Sequence, residues 1–94
     1  MAYVVQHHFP GGTQAQYDAT IAAVHPARDR MPDGQVFHAA GPVPGGWSVV
    51  AVFASKAAYE AFRDTVLMPR LKGTPGVLAG PPQEQAFESH VILP

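Results

Sequence analysis

Gly46-Trp47-Ser48-Val49-Val50-Ala51-Val52-Phe53-Ala54-Ser55, followed by Lys56-Ala57-Ala58-Tyr59-Glu60-Ala61-Phe62, is the stretch from which the fold is read. Trp47 to Ala54 has the β-branched and aromatic content of a strand. Val49 to Ala54 is apolar at odd and even positions alike, so this strand needs cover on both of its faces. Ser55 then supplies a helix N-cap. Ala58, Phe62 and Val66 recur every four residues behind it, with Tyr59 and Leu67 widening the stripe. The spacing predicts a helix over Lys56 to Met68, ended by Pro69.

Working outward, Tyr3 to Phe9 reads as a first strand, closed by Pro10-Gly11-Gly12. Thr13 with Gln16 three residues on is a capping-box pattern, and Tyr17, Ile21 and Val24 follow at helical spacing before Pro26. Arg28 to Gly34 is expected to be a loop ending in a Pro-Asp-Gly turn. Gln35 to Ala40 should pair with Trp47 to Ala54 through a long hairpin connection, Gly41 to Gly46. With Gly41 opposite Gly46, His38 falls opposite Val49 and on the same face as Trp47. Lys72 to Gln83 carries three Gly and three Pro and should be an irregular loop, long enough to act as a rim or lid. Gln85 to Leu93 alternates as a last strand, with Phe87, Val91 and Leu93 on one face and Glu88, His90 and Ile92 on the other. The order strand, helix, strand, strand, helix, strand defines an α+β class. The expected architecture is the ferredoxin-like β-α-β-β-α-β antiparallel sheet with both helices on one face. Its bare face, together with the doubly apolar strand, predicts two sheets packed face to face in a C2 homodimer.

Composition narrows the function. The 94 residues contain no Cys, 47% hydrophobic and 14% charged residues, and a net charge of −1, which describes a single domain over 1–94. There is no disulfide framework and no thiolate zinc site. No apolar run reaches the roughly 20 residues of a bilayer span, and Met1 to Pro10 lacks the pattern of a signal peptide. The chain is therefore expected to be used whole, in the cytoplasm, with no membrane partner. Six Lys and Arg against seven Asp and Glu, with the basic residues scattered between Arg28 and Lys72, give no footprint for nucleic acid. Leu and Ile occupy only six positions, and a domain this small buries only about two-thirds of its unfolded surface, so association would add stability.

Five histidines are the first candidates for chemistry, because imidazole titrates near neutral pH. His7 and His8 are adjacent on a strand and point to opposite faces, and no metal-binding spacing is present, so no metal site is expected. His25, at the end of the first helix, reads as a cationic cap on the helix dipole. Glu88 and His90, two apart on a strand and about 7 Å between Cα atoms, should share a face on which the carboxylate orients the imidazole as a general base. The alternative for this pair is a solvated strand edge. His7 or His38 facing the same cavity would add a second group able to move protons from a phenol or enol. Trp47 beside His38 would form an aromatic wall for a planar ligand, or else a core or interface Trp. Tyr59, Phe62 and Val66 read as helix-to-sheet packing. Arg63 and Arg70 either hold an acidic group of a ligand or are simply solvated. No Ser-His-Asp order, phosphate-binding loop or dinucleotide fingerprint occurs.

The run from Gly46 to Ser55, with Tyr59, Phe62 and Leu67-Met68-Pro69 after it, resembles the dimeric α+β barrel superfamily, and the resemblance covers nearly the whole chain. That superfamily includes antibiotic-biosynthesis-type monooxygenases, stress-responsive barrel proteins and a plant polyketide cyclase. The resemblance implies a homodimer whose barrel interior holds a small aromatic or polyketide-like ligand, commonly without metal or flavin. It also implies that Tyr3, Val5 and His7 face the ligand. The chain departs from the pattern where many of the monooxygenases carry an acidic residue and a Trp, having Ala51 and Phe53 there. It departs again where the cyclase has its catalytic His, having Leu71. The resulting expectation is a cofactor-independent monooxygenase or proton-transfer enzyme. His7, His90 and Glu88 are its catalytic candidates, and Tyr3, His38 and Trp47 its substrate-binding candidates. A non-catalytic ligand-binding or structural dimer is the alternative, and haem or metal binding through one histidine is a third reading.

Overall fold

The computed structural model describes residues 2–25, 31–78 and 81–91. Strand β1 (Tyr3–Pro10) stops where Gly11 takes φ +73° and the Gly12 N–H bonds back to the Phe9 carbonyl at 2.9 Å. Helix α1 (Gln14–Val24) starts with a complete capping box: the Gln16 N–H donates to Thr13 Oγ1 and the Thr13 N–H to Gln16 Oε1. Its C-cap is His25, and the loop reading of Arg28–Arg30 lies outside the described residues, as do Pro26, Ile92 and Leu93. Strands β2 (Gln35–Val43) and β3 (Gly46–Phe53) form a hairpin.

That hairpin corrects the expected register. Gly41 faces Ser48 and Val43 faces Gly46, so the turn is the pair Pro44-Gly45 and not a loop from Gly41. Gly45 at φ +82° after a Pro is the geometry a tight turn accepts, and Pro42 is tolerated because β2 is an edge strand. His38 consequently pairs with Ala51, two residues from the expected Val49. A shift of two preserves parity, so His38 and Trp47 still share a face.

Ser55 caps α2 (Lys56–Phe62), its Oγ accepting from the Ala58 N–H at 3.1 Å. Pro69 does not end the helix there. A π-helical turn (Arg63–Leu67) intervenes, in which the Met68 N–H reaches back five residues to the Arg63 carbonyl, and α3 (Met68–Gly73) continues with Pro69 in its first turn. A proline is compatible with that position because a helical first turn needs no N–H from it. The expected loop from Lys72 therefore begins only after Gly73. Strand β4 (Gln83–Glu88) begins two residues earlier and ends five residues earlier than expected, and the Ser89 N–H closes it on the Ala2 carbonyl.

The class is α+β: a four-stranded antiparallel sheet in the order β2-β3-β1-β4 with helices packed on it. Odd-numbered residues of β1 and β3 and even-numbered residues of β4 share the helix-facing side. On that side Val5 and Phe53, 2% and 1% exposed, pack with Val24, Tyr59 and Phe62. Among the described residues no helix is long and apolar enough to cross a membrane.

Candidate functional site

The same inner face that forms the core also leaves space beside it. A cavity of about 590 Å³ lies between the sheet and the helices, within the size range of small-molecule sites. Its sheet wall is Val5, His7 and Phe9 of β1 with Val49, Ala51 and Phe53 of β3. Tyr17, Ile21 and Val24 of α1 face Tyr59 and Phe62 of α2 across it. Leu78 and Pro82 from the segment before β4 close one side. That segment is pinned to α1, because the buried Leu78 N–H donates to Thr20 Oγ1 at 2.9 Å and Thr20 donates in turn to the Gln16 carbonyl.

Two polar arrays interrupt this apolar lining. At one end, His7 on β1 faces Glu84 on β4 in register, and His7 Nε2 lies 2.7 Å from Glu84 Oε2. A carboxylate only accepts, so Nε2 is the donor, and in the neutral ring the lone pair is on Nδ1. The Tyr59 hydroxyl donates to the same oxygen at 3.1 Å. The bond from His7 holds the Glu84 carboxyl below its usual range, against the opposing effect of burial. Burial, then the Glu84 charge, pushes the Tyr59 phenol up to about 12, so it stays a donor at neutral pH. The pair His7–Glu84 is the orienting-carboxylate arrangement expected for Glu88 and His90, built from a different strand pair.

At the other end stand Tyr17, His38, Gln35 and His25. His38 Nδ1 lies 2.8 Å from Gln35 Oε1, an acceptor, and Nε2 lies 2.6 Å from the Tyr17 hydroxyl. Burial, reinforced by nearby His25, lowers the His38 pKa, so the ring is neutral and Nε2 accepts the Tyr17 O–H. Gln35 and His38 are three apart and would point to opposite faces of a regular strand. A bulge between Gln35 and Phe37 restores both to the inner face. His25 sits edge-on to His38, ring centroids 5.3 Å apart, and burial lowers its pKa as well. It is a neutral wall of the cavity and not the cationic helix cap expected from its position.

Of the expected site residues, His7 and His38 line the cavity. Tyr3 lies on the same face but its ring leans at a tilt on Tyr59, centroids 5.8 Å apart, outside the cavity wall. Trp47 is buried against Tyr17, rings 5.3 Å apart, with its indole N–H unpartnered among the described residues. Glu88 ends β4 opposite Tyr3, and His90 lies beyond the strand, exposed. Because the strand stops at Glu88, these two do not form a pair on one strand face. Arg70 donates to the Ala23 carbonyl at 2.9 Å, whereas Arg63 reaches the cavity. Glu84, Tyr59, Tyr17, Gln35 and His25 were not expected there. Glu84 is visible only if β4 is begun directly after Pro82. Among the described residues no group of three or more His, Asp or Glu is placed to hold a metal ion. Compared with models of known families, with curated proteins and with solved structures, the chain has no significant match.

Proposed function

We propose that the protein is a cofactor-independent proton-transfer enzyme acting on a small aromatic or polyketide-like molecule held between sheet and helices. The observation that carries this reading is the His7–Glu84–Tyr59 array on the wall of a largely apolar cavity. His7 Nδ1 takes a proton from a phenol or from a carbon acid beside a carbonyl, leaving a phenolate or enolate. Glu84 stabilises the imidazolium that forms, and the imidazolium returns the proton to the product. Formation of that anion is the step shared by isomerisation, cyclisation and cofactor-independent oxygenation. Tyr17, hydrogen-bonded to neutral His38, is a second hydroxyl on the same cavity.

The reading extends to the assembly: a ferredoxin-like sheet that pairs with a second copy into a dimeric barrel. The strand order β2-β3-β1-β4 supports it, as does the outer sheet face. The residues of the four strands on that face include Val4, Phe37, Val50, Val52 and Phe87, and none is Asp, Glu, Lys or Arg. An uncharged, self-complementary face is what a C2 partner would cover.

The test is solvent-deuterium exchange at the central carbon of 1-phenyl-1,3-butanedione, followed by NMR. Acceleration by the protein that falls by about 10²-fold or more in His7→Gln is the expected result. Exchange that is unaffected by His7→Gln excludes His7 as the base and favours a binding protein. That second reading is supported by the Tyr17–His38–Gln35 chain, whose polar groups already satisfy one another.

A further inference from the structure

On the cavity's own lining cations outnumber carboxylates, Asp64, which pairs with Arg63, not being part of it. Its lining has two cations, Arg63 and Lys72, and one carboxylate, Glu84. The Glu84 charge is already engaged by the His7 N–H and the Tyr59 O–H. Arg63 spends Nε and one terminal nitrogen on Asp64, at 2.8 and 3.3 Å, and its guanidinium lies 5.7 Å over the Tyr59 ring. The other terminal nitrogen has no partner among the described residues, nor does Lys72 have a carboxylate within ion-pair distance. The helix geometry explains how both reach one cavity. In an unbroken α-helix nine positions make two and a half turns and would set residues 63 and 72 on opposite faces. The wider π turn Arg63–Leu67 rotates the residues after it back toward the Arg63 side.

We propose that the cavity selects an anionic ligand: a planar aromatic acid whose carboxylate is held at the mouth by Arg63 and Lys72. Its ring lies among Phe9, Phe53, Tyr59 and Phe62, and its opposite end points inward. Aromatic walls favour a flat body, and a guanidinium edge with a free N–H favours a carboxylate over a neutral amide. The inference rests on the proposed function, since it names the substrate class of the same cavity. Arg63 and Lys72 are specificity-determining residues in it and take no part in proton transfer.

The experiment is calorimetric titration of the whole protein with 4-hydroxybenzoate and, separately, with uncharged 4-hydroxybenzamide. At low salt the acid should bind at least about tenfold more tightly. The ratio should fall to within about twofold in the double variant Arg63→Gln, Lys72→Gln, whose thermal melting is measured alongside to establish that it folds. Equal affinities in the wild type, or a preference that survives in a folded double variant, overturn the anion selection and leave proton transfer by His7 standing. Binding of neither compound also overturns the anion selection, while the exchange reaction of the diketone decides proton transfer by His7 on its own. If the double variant does not fold, the same ratio measured at high salt decides, because screening should abolish a charge-based preference.

Discussion

His7 and Glu84 occupy directly paired positions of the β1–β4 ladder, and their side chains meet at 2.7 Å on the cavity side of the sheet. The register thus does the positioning: backbone hydrogen bonds on both strands hold an imidazole and a carboxylate at a fixed separation. Glu84→Gln keeps the shape but removes the charge that stabilises the imidazolium. The exchange reaction described above should slow by about 10²-fold, at the low end of what a positioned general base contributes. An unchanged rate in a folded variant would show that Glu84 does not support the base.

Acid should loosen the other end of the cavity. The pKa values of His38 and His25 are lowered by burial in the folded protein, so below about pH 6.5 the unfolded chain binds more protons than the folded one. Stability therefore falls as pH drops from the ordinary histidine value toward the lowered ones. A protonated His38 also no longer accepts from Tyr17. Melting temperature measured between pH 7 and 5 should decline, and His38→Gln should flatten part of that decline. A pH-independent melt across this range would contradict the neutral-imidazole assignment.

Tyr59 makes the converse prediction in base. Its phenol is pushed up to about 12, so the folded state resists an ionisation that the unfolded chain undergoes near the ordinary value of 10. The associated stability is present below about pH 10 and is lost progressively above it. In a spectrophotometric titration of phenolate absorbance, the transition should shift downward in Glu84→Gln, because burial would remain without the Glu84 charge. A transition unaffected by that change would remove Glu84 as a cause.

Gly46→Ala tests the close approach at the end of the β1–β3 ladder. A Cβ there would collide with the Phe9 carbonyl oxygen, a backbone atom that cannot swing aside. The expected cost is about 1–3 kcal/mol, typical of overpacking, read from denaturant unfolding. A neutral result would mean that the strands separate readily at this edge.

The outer sheet face predicts assembly. Val52→Glu places a charge on a face that has none, opposite Val4 and Phe37. Sedimentation equilibrium should find a dimer for the wild type and a monomer for the variant. A wild-type monomer at high concentration would remove the paired-sheet proposal.

The sequence announced the strands and helix starts well where single residues govern them. Thr13 with Gln16 and Ser55 are both caps in the structure, since capping is settled within four residues. The doubly apolar β3 was legible for the same local reason. Three features were not. The Val36 bulge brings Gln35 to His38, yet nothing in a short alternating run marks where an extra residue is inserted. The π turn absorbs Pro69, although proline at that point normally predicts a stop. Glu84 stands one position before the alternating run that starts at Gln85, so the alternation does not reveal what faces His7. Site chemistry here depends on cross-strand partners, and pairing is decided by the whole sheet.

The π turn has a consequence for the length of the chain. It accommodates one more residue than an α turn would, so the cavity's helical wall is sensitive to residue count as well as to residue identity. Removing a single position between Phe62 and Met68 would turn the π turn into an ordinary α turn, leaving Leu71 and Lys72 near where they stand but setting Pro69 inside an unbroken helix, where its ring meets the carbonyl four residues back. A substitution at the same place would change one side chain and leave the rest of the wall where it stands.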